Sequence, residues 1–492
     1  MSGFRWTAGE VERALESVRG TADDRGRGTG DGGQRATAGL VFSSVSTDTR
    51  KIEAGSLYVA LKGESFDGHD FLAQAADAGA TGAVVSHVPD GAPDSLVYYR
   101  VDNTLHALGA LGRHRRRALT GKVVAVAGSN GKTTTKDLLR AALSPRFRVH
   151  ATTGNLNNQI GAPLTLLAAP DDAEVLVVEV GTNEPGEIAI LGAIVEPDAA
   201  VITSIGEEHL EGLGSVEGVL EEELAILPHV RPGGVAVVAE DPAELPERAA
   251  QMVGGMRLRV AGFGEAASVR PEDGEAGIEV LPGGATRWTF RGTRIDLPLP
   301  GMHNVRNALI ALGVSTEFGV PVEDSARSIA AMAAPKMRNE WRRVGGLNVL
   351  ADCYNANPPS TRAAIDLLAS LPGDAGKIAI LGTMRELGDH AADLHRSVLQ
   401  SALSKLGGGI DRLVVTGDFV AALGDEAGEH VIAVEDPLEA YASLRPLLKG
   451  DETILLKGSR GVALERIIPL LENDFAGTGP KDDATHTAHA GG

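Results

Sequence analysis

Residues 128–134, GSNGKTT, follow the apolar run Val123–Ala127 without a break and pass directly into KDLLRAAL. Glycines at 128 and 131 let a backbone turn tightly, so that successive N–H groups point inward and the next helix presents its positive end. That combination is a phosphate cradle. Gly128, Ser129, Asn130 and Gly131 would supply backbone, Lys132 would neutralise β/γ-phosphates, and a Thr133 or Thr134 hydroxyl would hold Mg²⁺. The common form G-x-x-x-x-G-K-[ST] also needs glycine at 126, where this chain has Val126. The loop is therefore a variant.

Three further stretches could serve the same chemistry. GNLNNQIGAPLT (154–165) packs the amides Asn155, Asn157 and Asn158 before an apolar helix, which suits a loop that touches a ligand. Glu179 ends the run VLVVE, so it belongs at the carboxyl end of a strand, where doubly wound sheets bind ligands. It is either the second Mg²⁺ anchor or a surface glutamate capping a helix. His209, in SIGEEHLEGLGS, follows the next strand and reaches the same edge, as a metal ligand or as a packed histidine.

These residues need parallel strands to hold them, and the chain offers two series. SLYVAL, KVVAVAG, EVLVVEVG and AAVITSIG alternate with helical segments, and LNVLADC, KIAILGT, RLVVTGD and TILLKGS do so again after a junction near Ala334-Pro335. Such alternation implies βαβ units covered by helices. The expected fold is α/β with three domains: a small N-terminal α/β domain (1–120), a central doubly wound P-loop domain (121–334) and a C-terminal Rossmann-like domain (335–475). Residues 20–38 and the tail 476–492 read as flexible, with His486 and His489 solvated rather than metal-bound.

Composition narrows the class. With 492 residues and 43% hydrophobic side chains the chain can bury several cores, and a net charge of −20 argues against nucleic acid or an anionic membrane as partner. Cys353 is the sole cysteine, which excludes an internal disulfide and fits a reducing cytoplasm. Residues 1–20 lack the apolar core of a signal peptide, and no stretch approaches the roughly 18 apolar residues of a membrane span.

In this order the motifs resemble the Mur ligase family, over about 6–471. AGSNGKTTTK resembles its ATP loop, VVEVGTNEPGEI and IGEEHLEGLGSVEGV follow in place, and GNLNNQIGAPLTLL resembles the branch that adds D-alanyl-D-alanine. The resemblance implies ATP and Mg²⁺ as cofactors and a cytoplasmic, monomeric ligase. UDP-N-acetylmuramoyl-tripeptide and D-alanyl-D-alanine would be its substrates, joined through an acyl phosphate. It also implies site residues: Asn304 and Asn307 of LPGMHNVRNALIAL on the adenine side, Arg338 on the phosphates and Asp352 on the ribose. Tyr354 and Asn355 would lie on the substrate side. Ser46, Thr49, Arg50, Lys62, Asp67, Gly68 and His69, within STDTRKIEAGSLYVALKGESFDGHDF, would form a uridine-nucleotide site.

Two positions depart from the family pattern. Thr383 in ILGTMRELG stands where aspartate is common, and Glu223 stands where the family places a lysine that CO₂ carbamylates into a metal-bridging anion. No lysine occurs between Lys136 and Lys336 to substitute for it. Glu223 either supplies the missing anion, with a water making up its shorter reach, or belongs with Glu221 and Glu222 to a solvated helix face. A diaminopimelate- or lysine-adding relative is the nearest rival, but the C-terminal part has no D-[ND]-P-R motif. A P-loop NTPase and a non-catalytic scaffold stand further off.

Overall fold

The computed structural model describes residues 6–18, 39–252, 254–333, 336–424 and 428–477. Residues 20–38, the Ala334-Pro335 junction, and the tail histidines His486 and His489 lie outside the described residues. The chain divides into two compact units: 1–205 with 220–270 and 306–328, and 206–219 with 271–305 and 329–492. Segments 206–219 and 271–305 thus join the second unit although they lie between parts of the first in sequence.

In the first unit, a four-stranded parallel sheet runs in the order Val45–Ser46, Leu57–Val59, Gly82–Val85, Val97–Arg100. All four carboxyl ends therefore share one edge. Asn103 caps the following helix Thr104–Ala118 by accepting from the N–H groups of Leu105 and His106. Ala107, Leu108 and Leu111 of that helix enter the core beside Trp6, Phe42 and Leu57. Its basic end is bound to the next sheet's connections. Arg116 donates to the carbonyls of Val195 and Glu196 and pairs with Asp198 at 2.7 Å. Arg113 and Arg117 both reach the Glu196 carboxylate.

That next sheet has six parallel strands ordered Arg257–Ala261, Val235–Ala239, Ala199–Ile202, Lys122–Ala127, Val175–Glu179, Val149–Ala151. The four inner strands are mostly apolar and almost wholly buried, as strands covered on both faces must be. The order reverses about Lys122–Ala127, and a reversal of this kind opens a crevice at the carboxyl edge.

The second unit carries another doubly wound sheet, ordered Glu340–Val344, Leu347–Asp352, Thr453–Lys457, Lys377–Leu381, Arg412–Val415, Val431–Ala433, with only its first strand antiparallel. Alternate residues of its strands feed two cores, one on each face. A three-stranded antiparallel sheet, Glu279–Val280, Thr286–Phe290 and Thr293–Leu297, was not expected from the sequence.

Candidate active site

Val126 lies inside the strand Lys122–Ala127, opposite Glu179 in the ladder. The turn therefore begins only at Gly128, which explains why no glycine is needed at 126. Gly128 and Gly131 have φ of +115° and +84°. A Cβ on Gly128 would lie 2.4 Å from Thr203 Oγ1, and one on Gly131 would lie 2.5 Å from Asn307 Oδ1. Both positions thus exclude larger residues by conformation and by space. The loop is fixed by residues the motif does not name, and contrary to the expectation of inward-facing donors the N–H groups of Gly128, Ser129 and Asn130 are bonded to protein acceptors. Ser129 and Asn130 donate their N–H groups to the Ser204 carbonyl (2.8 Å) and hydroxyl (2.9 Å). The Thr203 hydroxyl donates to the Asn130 carbonyl. Sequence reading passed over Thr203 and Ser204, although their place just beyond the strand Ala199–Ile202 was the available signal.

Lys132 opens the helix Lys132–Leu143, and its ammonium folds over the loop to donate to the carbonyls of Gly128 (2.5 Å) and Ser129 (3.0 Å). The cation is thus held above the cradle. Thr133 Oγ1 lies 3.3 Å from Glu179 Oε1, which also accepts from Asn157 Nδ2 at 3.0 Å. Glu179 is 2% exposed, and its Oε2 is buried with no hydrogen-bond partner. A buried carboxylate oxygen left unmatched beside a hydroxyl is the donor set of a hydrated divalent cation that takes its other ligands from phosphate. No group of three or more His, Cys, Asp or Glu that could cage a metal occurs among the described residues.

The run Glu221–Glu223 is not one solvated face. Glu221 is exposed beside Arg248, whereas Glu222 and Glu223 are buried. Glu223 Oε2 accepts the Gly128 N–H at 2.7 Å. Glu222 accepts the N–H groups of Gly186 and Ile188, both at 2.7 Å, at the start of the helix Glu187–Val195. Glu187 ties this turn to the amide loop, since it takes bonds from Asn183 N–H and from Gln159 Nε2. Burial pushes the Glu187 carboxyl up, but those donors outweigh it and hold the group below the usual range. Asn158 spends its side-chain oxygen on the N–H groups of Ile160 and Gly161, and Asn155 is exposed. Within the amide loop, Asn157 is therefore the side chain that reaches the Glu179 carboxylate.

At the carboxyl edge of the N-terminal sheet, Ser46 bonds the backbone of Asp48. Asp48 grips Arg50, whose guanidinium holds that carboxyl down at about 2. Thr49 begins the short turn Thr49–Lys51. Asp67 accepts from the His69 N–H, the first cause of its lowered pKa, and from His69 Nδ1 at 2.5 Å. His69 Nε2 in turn accepts the Ser86 N–H, which leaves the ring proton on Nδ1. Lys62 approaches Asp67 to 3.8 Å, and Gly68 packs its backbone on Leu61.

In the second unit, His209 Nδ1 lies 2.9 Å from Glu386 Oε2. Asn304 donates to the Pro300 carbonyl. The Arg338 guanidinium sits 4.1 Å from the Tyr354 ring centroid, and Arg460 approaches the same ring at 5.4 Å. Asp352 forms a buried pair with Lys457 at 2.7 Å, and Lys457 also donates to the Asn355 carbonyl. Burial drives the Cys353 thiol well above its usual range, so it is inert at neutral pH. Thr383, the second departure, serves its own neighbourhood, where its hydroxyl accepts the Asp418 N–H at the start of the helix Asp418–Leu423.

Three family models match in sequence: Mur ligase family, catalytic domain, at 41–116; Mur ligase middle domain at 126–315; and Mur ligase, glutamate ligase domain, at 337–460. The UDP-N-acetylmuramoyl-tripeptide–D-alanyl-D-alanine ligase of Bacillus subtilis is 37% identical over 87% of this chain and 93% of its own length. The chain belongs to the Mur ligase family. A crystal structure of MurF from Acinetobacter baumannii superimposes on this ligase with a TM-score of 0.83 at 30% identity, covering 96% of this chain and all of that one. MurF from Thermotoga maritima, solved in complex with ADP, gives 0.77 at 25% identity, covering 88% and 97%. No helix among the described residues is long and apolar enough to cross a membrane.

Proposed function

We propose that this Mur ligase joins D-alanyl-D-alanine to UDP-N-acetylmuramoyl-tripeptide with conversion of ATP to ADP and phosphate. The observation that carries the reading is Glu179, buried at a strand end with one unmatched oxygen, hydrogen-bonded to Thr133 of a nucleotide loop. Relatives named for this reaction, matched over most of their length, supply the substrates.

A carboxylate oxygen of the tripeptide attacks the γ-phosphorus of ATP. ADP leaves, and an acyl phosphate remains. The dipeptide amine adds to the acyl carbon, loses a proton, and the tetrahedral intermediate expels phosphate as the amide forms. No protein nucleophile is needed, so the chain's work is positioning and charge neutralisation. Gly128 to Gly131 shape the cradle, with Thr133 and Thr134 following on the helix, and Lys132 moves from its loop carbonyls to the phosphate oxygens. Thr133 and Glu179 would hold Mg²⁺, which offsets phosphate charge when bound. Glu223 keeps a fixed negative charge on the loop backbone without requiring CO₂. We assign His209 to the metal side, Arg338 to the phosphates, Asn304 and Asn307 to adenine, and Asp352 to the ribose. Asn155, Asn157, Asn158, Tyr354 and Asn355 serve the acceptor side.

The N-terminal sheet edge, with Ser46, Thr49, Arg50, Lys62 and Asp67 to His69, reads the uridine nucleotide. Lys62→Ala is expected to raise KM for the UDP-substrate and leave that for ATP unchanged, the pattern of lost uniform binding. Equal weakening of both would contradict this placement. We place the enzyme in the cytoplasm as a monomer, which fractionation and light scattering would test.

A further inference from the structure

Arg338 precedes the one antiparallel strand of the second unit's six-stranded sheet, and that reversal brings it to the edge where the parallel strands end. Glu340 pairs with Ala351, the residue before the last of the strand Leu347–Asp352. The turn that delivers Arg338 is strained. Met337 and Asn339, on either side of it, have φ of +58° and +48°, in the left-handed region that residues other than glycine seldom adopt. Such a backbone persists only where neighbours hold it. Here the Tyr354 N–H donates to the Met337 carbonyl at 3.2 Å, the Asn339 N–H to Asp352 at 3.3 Å, and the Met337 N–H to the Glu340 carboxylate at 2.8 Å.

A second guanidinium meets the same tyrosine. Arg460 follows the strand Thr453–Lys457, and its loop is tied to the Tyr354 loop at two points. Lys457 donates to the Asn355 carbonyl, and the Ser459 hydroxyl donates to the Ala356 carbonyl at 3.2 Å. Both guanidiniums therefore lie over one half-buried ring, Arg338 at 4.1 Å and Arg460 at 5.4 Å from its centroid. Neither forms an ion pair among the described residues, in a chain whose net charge is −20. Two arginines kept from carboxylates and oriented by one aromatic ring are left for a ligand anion, and their planar forks suit phosphoryl oxygens.

We propose that Tyr354 is a positioning residue that sets Arg338 and Arg460 as a pair on the transferring phosphoryl group, with Arg460 a further charge-neutralising residue of the reaction. The proposal rests on the reading of Arg338 as a phosphate ligand. A guanidinium held over an aromatic ring is already ordered, so it loses little more freedom when it meets the anion. Charge spreads over the phosphoryl oxygens in the transition state, so the pair acts on turnover rather than on the binding of ATP.

The test is steady-state kinetics of the full chain with ATP, Mg²⁺, the UDP-tripeptide and the dipeptide. Tyr354→Leu should lower kcat about 5–30-fold with the KM for ATP unmoved. Tyr354→Phe should recover most of that loss, since the ring and not the hydroxyl orients the arginines. Arg460→Gln should also lower kcat, and adding Tyr354→Leu to it should cost less than Tyr354→Leu does alone. Independent losses in the double variant, or a Tyr354→Phe no better than Tyr354→Leu, overturn the positioning role. Should Tyr354→Leu fail to fold, Arg460→Gln still decides, because Arg460 is exposed: an unchanged kcat overturns the pair. A rise in KM for the dipeptide with kcat intact in Arg460→Gln gives that residue to the acceptor carboxylate and likewise overturns the pair. Parent-like kcat in Arg338→Ala removes the phosphate reading itself, and the proposal with it.

Discussion

Replacing Glu223 by glutamine tests the negative charge proposed above for this position beneath the nucleotide loop while keeping the side chain's size. In the structure Glu223 is 2% exposed and accepts the Gly128 N–H at 2.7 Å. A hydrogen bond to a charged group is worth roughly 1.5–3 kcal/mol, against about 1 kcal/mol for a neutral pair, so the amide should cost about 1 kcal/mol. For a domain of this size that lowers Tm by roughly 2–4 °C. Alanine would also leave the Gly128 N–H without this acceptor, a loss of about 1–3 kcal/mol, and should shift Tm further than glutamine does. In turnover assays the Gln variant should need more Mg²⁺ for half-maximal rate, because the local charge that balances cations has fallen. The unaltered enzyme should ignore added bicarbonate, whereas Glu223→Lys could recover only with bicarbonate present, through a carbamate. A Gln variant that matches the parent in both Tm and magnesium titration would refute this role for the buried charge.

Lys132→Ala should lower kcat by about 10²–10³-fold with an unchanged thermal midpoint, because its ammonium rests on loop carbonyls at the cradle rather than in a core; retention of a tenth of the parent rate would exclude the phosphate role. Gly131→Ala should abolish tight ADP binding in calorimetry, since its φ of +84° and a Cβ 2.5 Å from Asn307 Oδ1 both demand that the loop move; parent-like affinity would show that the loop tolerates the shift. Glu196 gathers Arg113, Arg117 and Arg231. Burial opposes its charge, but these partners win and hold the carboxyl at about 2, below the ordinary 4.5 of a glutamate. A depressed folded pKa gives stability that is present above about 4.5 and is lost as pH falls towards 2. Glu196→Gln should therefore cost roughly 1–2 kcal/mol at pH 7, after allowance for the exposed arginines, and the gap should close by about pH 2 in urea denaturation. A gap independent of pH would assign the loss to packing.

The parallel sheets were legible because strands buried on both faces must be continuously apolar, as VVAVA and VLVVE are. Glu179 and the cradle followed from strand ends and glycines. The antiparallel sheet was missed although TRWTF and TRIDL alternate across Arg291-Gly292, whose positive φ values make the tight hairpin turn. That signal was present and unread. Glu222 and Glu223 are different: three successive glutamates on a helix left a solvated face open beside the metal-side role for Glu223, and only the tertiary approach of the Gly186, Ile188 and Gly128 N–H groups makes two of them buried acceptors. The Glu196 hub was equally hidden, since its arginines come from Arg113, Arg117 and Arg231, far from it in sequence.

The central claim is a defined bond formation, and mass spectrometry of the reaction mixture tests it directly. With ATP, Mg²⁺, UDP-N-acetylmuramoyl-tripeptide and D-alanyl-D-alanine, the account predicts a UDP-muramoyl-pentapeptide, with one ADP and one phosphate released per amide formed. Omitting the dipeptide should stop product formation. ATP hydrolysis with no pentapeptide, or addition of a single diamino acid to a UDP-muramoyl-dipeptide in its place, would contradict it.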